Sequence, residues 1–247
     1  MHNIEEGTMI DSKMRLNRQE IEAIPSPEYT KTWHPISHKE VLDSLDMVVK
    51  AEGVAVVGES YSVKNNGRNM FGTWTLDMPL GGGSLVQLGF RNSLMKTFAV
   101  GVAAGTHVMA CSNMQFSGEF LEFRKHTSGL DFEELLITAT AAFSGVLVKS
   151  MELHEWHESL RPIALPEPDF KALTFDAMRA GILAPNRFKD FLGKHEEEVV
   201  LSKGEGGLYE FHGAITRMNR DNNLFTVGYR TADLKVLCDG YADLKAA

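Results

Sequence analysis

The sequence predicts an α+β fold: an antiparallel β-meander packed by a long helix, followed by a helical extension. Three observations carry this expectation. Two β-rich runs, VAVVGESYSV and NMFGTWTLDM, flank KNNGR, and Asn66-Gly67 is a strong hairpin signal because both central residues of a type I′ turn need positive φ. Further short apolar runs follow, separated by PLGGGS and RNSLMK. From Asp131 the period then changes, with Phe132, Leu135, Leu136, Ala139, Phe143, Val146 and Leu147 at helical spacing.

The elements are expected in this order. Residues 1–32 show no sustained period and contain IPSPEY, which reads as a flexible arm. An α+β core is expected over 33–161. Its first helix follows Ser37, a suitable N-cap, carries Val41, Leu42, Leu45, Val48 and Val49 on one stripe, and ends at Gly53. Strands before and after the Asn-Gly turn come next. Gly81-Gly82-Gly83 lacks the Lys-Ser/Thr of a phosphate-binding loop, so it is read as a hairpin loop. LVQLGF, KTFAVGVAAGTHVMAC and EFLEFRKHT supply more strands, with Ser112 and Asn113 suited to turning the chain between the last two. The long helix should cross the sheet and stop at the linker marked by Pro162, Pro166 and Pro168. A helical extension over 162–247 then contains TFDAMRAGI, PNRFKDFLGKHEEE and GLYEFHGAITRMNR, the last with Leu208, Phe211, Ile215 and Met218 on one stripe.

Composition narrows the function classes. The chain has 247 residues and a net charge of −8, which argues against coating duplex DNA through a generally basic surface. The charge is uneven. From Tyr61 to Ser128, six basic residues (Lys64, Arg68, Arg91, Lys96, Arg124, Lys125) face three acids (Asp77, Glu119, Glu122), leaving eleven net negative charges elsewhere. Because the Debye length is about 8 Å at physiological salt, such a region can bind phosphate locally on an acidic body. Cys111 and Cys238 fit neither a metal spacing nor a disulfide framework, the opening residues hold no apolar leader, and no run approaches the roughly 18 apolar residues of a membrane span. A soluble, cytoplasmic protein without membrane contact is expected.

Catalytic constellations are sparse. In HEWHE, His154 and His157 lie three apart beside Glu155 and Glu158, but the spacing is not that of H-E-x-x-H and no third ligand follows. A solvated helix end with Trp156 packing is the expectation. Cys111 in an apolar strand reads as a small core residue. Ser112, Ser117 and His126 form no triad legible in sequence. We therefore expect no enzyme, no metal and no cofactor.

Several segments resemble a family from phage and plasmid genomes catalogued as domain of unknown function 932. WHPISHKEVLDSLDMVVKAEGVAVVGESYSVKNNGRNMFGTWTL is similar to its opening, and GFRNSLMKTFAVGVAAGTHVMACSNMQFSGEFLEFRKHT to its core. AMRAGILAPNRFKDFL and LYEFHGAITRM are similar to its later helices, the likeness covering roughly residues 33–235. Ser93-Leu94-Met95 replaces the family's frequent S-H-D, Tyr209 its tryptophan and Gly213 its asparagine, which favours structural roles for these motifs. A curved sheet backed by a long helix also resembles single-strand annealing proteins of phages and eukaryotes. That resemblance implies a homo-oligomer binding single-stranded DNA, with Arg68, Arg91, Lys96, Arg124 and Lys125 on phosphates; Phe71 and Trp74 are candidates to stack bases, although strand aromatics more often belong to the core. The alternative is a phage-encoded interaction protein that inhibits a host defence or replication factor without binding DNA.

Overall fold

The computed structural model describes residues 14–108, 113–116, 121–124, 132–219 and 224–246. Strand β1 (Met14–Leu16) pairs antiparallel with β2 (Val56–Lys64), Met14 opposite Val63 and Leu16 opposite Tyr61. Asn17 and Glu20 then form a reciprocal cap on helix α1 (Arg18–Glu22): the Asn17 side chain accepts from the Glu20 amide at 3.0 Å, and the Glu20 carboxylate accepts from the Asn17 amide at 2.7 Å. Ile21 is wholly buried, and Arg18 bonds Asp46. This corrects the expectation of a flexible arm for residues 14–24, which belong to the sheet edge and its core. Residues 1–13 lie outside the described residues.

Helix α2 (His38–Ala51) is capped in the same reciprocal way by Ser37 and Glu40 and buries Val41, Leu42, Leu45, Val48 and Val49. Strands β2, β3 (Asn69–Gly81), β4 (Ser84–Ser93) and β5 (Val100–Val108) form an antiparallel meander. The first hairpin has φ of 55° at Asn66 and 83° at Gly67, and the Arg68 amide donates to the Asn65 carbonyl at 3.1 Å, as a type I′ turn requires. Gly82 and Gly83, both at positive φ, make the second. β6 (Asn113–Phe116) pairs with the end of β5 and β7 (Leu121–Arg124) with its start. Cys111, Ser112, Lys125 and His126 lie outside the described residues.

One face of this sheet is apolar: Tyr61, Val63, Met70, Trp74, Leu76, Val86, Leu88, Phe90, Val100, Val102 and Ala104 enter a single core with α2 and the first half of α3 (Phe132–Ser159). Trp74 meets Phe90 edge-on at 5.2 Å and donates its indole N–H to the Tyr61 hydroxyl at 2.9 Å. Gly72 is obligatory there, since a Cβ would lie 2.2 Å from the Phe90 ring. Helix α3 is also long and apolar enough, by length and composition, to cross a bilayer, which corrects the expectation that no segment is. Its Leu135, Ala139, Ala142, Phe143 and Val146 pack against the sheet, and a third of the apolar window is buried.

The same helix runs on into a second core. Trp156 and Leu160 pack with α4 (Glu167–Arg179), α5 (Phe188–Ser202), α6 (Leu208–Asn219) and α7 (Leu224–Ala246) around Leu173, Phe191, Leu208, Phe211, Ile215, Leu234 and Cys238. Pro166 and Pro168 start α4. Helices α6 and α7 also touch β6, and α7 touches β2 and β3.

Candidate nucleic-acid interface

One end of the sheet collects the β2–β3 turn, the loop from β4 to β5 and the segment leading into α2. Local polar chemistry fixes all three. The Leu94 amide donates to the Arg68 carbonyl at 2.7 Å, tying the loop to the turn. Ser93 holds the loop shut: its hydroxyl donates to Asn69 Oδ1 at 2.8 Å and accepts from the amides of Met95 and Thr97 at 3.1 and 3.2 Å. Lys96 takes the left-handed conformation at φ 61° within it.

His38 is the tie between these pieces and α2. Asn92 Nδ2 lies 3.0 Å from its Nδ1 and also donates to the Ile36 carbonyl at 2.9 Å, while Nε2 lies 2.8 Å from the Gly67 carbonyl. An amide N–H must donate to Nδ1, so Nε2 carries the proton and donates to Gly67. Burial lowers the pKa of His38, keeping the neutral tautomer that this arrangement needs.

The entering segment forms a miniature hairpin. The Thr30 amide donates to the Trp33 carbonyl at 2.9 Å, with Lys31 and Thr32 exposed at the tip. Tyr29 and His34 stack across its base with centroids 4.9 Å apart and planes at 13°. Lys96 places its ammonium 4.8 Å from the Trp33 ring, a cation–π contact joining hairpin and loop.

Of the residues singled out in the sequence, Arg68 and Lys96 are exposed on the two joined loops. Arg91 is half-buried on β4 at the mouth of the same loop, its guanidinium 5.1 Å from the Phe98 ring. Arg124 is paired through its backbone with Val100, where the loop returns to the sheet. Lys125 lies outside the described residues. Phe71 and Trp74 are corrected as stacking residues: they keep 2 % and 0 % of their surface, because this part of β3 is covered on both faces. Tyr29, Lys31, Trp33 and His34 are not among the expected site residues, although YTKTWH between prolines is their signal.

The HEWHE motif lies elsewhere and is not a solvated helix end. His157 is buried, stacked on Tyr209 at 4.4 Å and tilted against His212 at 4.8 Å, and burial pushes its pKa down to about 3. Trp156 donates to Asp239 at 2.6 Å. The glycine hairpin rests on this helix end, where a Cβ at Gly81 would stand 3.4 Å from His154 Nε2. Among the described residues no cluster of three or more His, Cys, Asp or Glu could hold a metal ion. Comparison with protein-family models, curated proteins and solved structures found no match.

Proposed function

We propose that this chain binds single-stranded DNA at the basic end of its sheet, as a homo-oligomeric protein of the strand-annealing kind. The observation that carries the reading is the joining of Arg68 and Lys96, on separate loops, to one rigid corner with Trp33. A cation seated on an aromatic ring, with a second cation on the adjoining turn, suits a phosphate backbone carrying unpaired bases. Arg91 adds charge at the mouth of the β4–β5 loop, the Arg124 backbone pairs there with Val100, and Lys125 follows it in sequence. The acidic remainder does not cancel this grip, since exposed charges more than about 8 Å away are largely screened.

The test is fluorescence anisotropy with a labelled single-stranded oligonucleotide across a salt series. The double variant Arg68→Ala, Lys96→Ala is expected to lose at least about tenfold in affinity and to flatten the salt slope by about 0.7 per phosphate contact removed. No affinity at low salt, or an unchanged affinity in the double variant, overturns the reading in favour of an interaction protein that leaves DNA alone. Light scattering with and without the oligonucleotide measures the assembly.

A further inference from the structure

Phosphate binding makes no use of the Tyr29–His34 pair. The two rings stack at 4.9 Å and 13°, yet Tyr29 leaves 72 % of its surface in water. Tyr29 is not part of the hydrophobic core, so its exposed face is not used for packing there. The mount is stiff. Pro25 and Pro27 precede the hairpin and Pro35 follows His34, so φ is fixed at three positions and the residues before them are held extended. The Thr30–Trp33 bridge closes the turn, and Lys96 anchors Trp33 from the neighbouring loop. A rigid aromatic face therefore stands open to solvent with Lys31 at the tip of its own hairpin.

The geometry points to the Tyr29–His34 pair as a stacking platform for an unpaired nucleobase, an inference that rests on the single-stranded DNA reading. Arg68 and Lys96 hold the phosphates, and the hairpin takes a base from the same strand on the open face of Tyr29. In a duplex both faces of each base are already covered by neighbours, so the platform discriminates against paired DNA. It is also indifferent to sequence, because every base has a π-face and the pair aims no side-chain hydrogen bond at a base edge.

Anisotropy of the full chain with two strands of equal length, one of thymidine nucleotides and one of abasic deoxyribose phosphates, separates base from phosphate. The thymidine strand is expected to bind about tenfold more tightly, within the roughly 1–3 kcal/mol that one base stack contributes. Tyr29→Ala should remove that advantage while leaving abasic binding, its salt slope and the melting temperature unchanged. Tyr29→Trp should retain the advantage. Arg68→Ala should weaken both strands alike. If the abasic strand binds as tightly as the thymidine strand, or Tyr29→Ala leaves the ratio intact, the platform is wrong and phosphate binding stands. If neither strand binds, both fall.

Discussion

Both halves of the molecule bury histidine, and they treat it in opposite ways. In the sheet half, His38 has a partner on each ring nitrogen and joins α2 to two loops. In the helical half, among the described residues, no hydrogen-bond partner faces the buried His157 Nε2 or either nitrogen of His212, and the rings pack on aromatic faces: Tyr209, Trp156 and each other. The cause is backbone supply. His38 sits where turns leave carbonyls such as Gly67 and Ile36 unclaimed, whereas the helix interiors around His157 and His212 use theirs in i→i−4 bonds. An unmet buried polar group costs about 1–3 kcal/mol, so the same residue type fastens one half and burdens the other.

The largest expected effect probes the sheet half alone. Trp74→Ala removes the largest fully buried side chain and should lower unfolding free energy by about 3–5 kcal/mol in urea titration. Acid should act next, and on the helical half. The folded-state pKa of His157 is pushed down to about 3, below the ordinary 6.5, and burial lowers that of His212 well below 6.5. The unfolded chain therefore takes up protons as pH falls through about 6.5 while the folded chain does not. The contribution is complete above that value and is lost progressively between pH 6.5 and 3. Arg161, His154 and Lys235 near the rings aggravate the charging, and Glu158 opposes it. Melting temperature against pH should slope upward through this window, and His212→Leu should reduce the slope; a flat profile in the unaltered chain would refute the account.

Two substitutions set the histidines against each other directly. His38→Leu leaves Gly67 and Asn92 short of a partner and should cost about 2 kcal/mol in urea titration at neutral pH. His212→Leu removes only unmet nitrogens and should be neutral or raise stability by about 1 kcal/mol. A loss at His212 as large as that at His38 would erase the contrast.

Local signals explain which features were legible in the sequence. Ser37 before a periodic run, Asn66-Gly67, the triple glycine and the stripe from Phe132 to Leu147 each act through neighbours a few residues away, and α2, both hairpins and α3 follow from them. The edge strand was hidden because MRL is held by pairing with residues 61–63, over forty positions on. Its helix was announced by Asn17 and Glu20, but five residues are too few to show a period. Helix α7 lies inside the expected helical extension but shows no stripe of its own, because apolar residues are scattered around its whole circumference. At the candidate site, basic residues were visible by composition. Their aromatic neighbours were not, since a boundary drawn between Thr32 and Trp33 split one hairpin in two, and Phe71 and Trp74 took their place although a strand covered on both faces offers none to a base.

Helix α3 has a mechanical consequence. Its 28 residues make a beam about 42 Å long, embedded at one end in the sheet core and at the other in the helical core. Two bodies on a flexible tether can rotate past each other, but bodies sharing a beam must bend or shear it to do so. A torque on the helical half is therefore delivered to β4 and β5, the strands that lead into the loop carrying Lys96, with the glycine hairpin bracing the beam near His154.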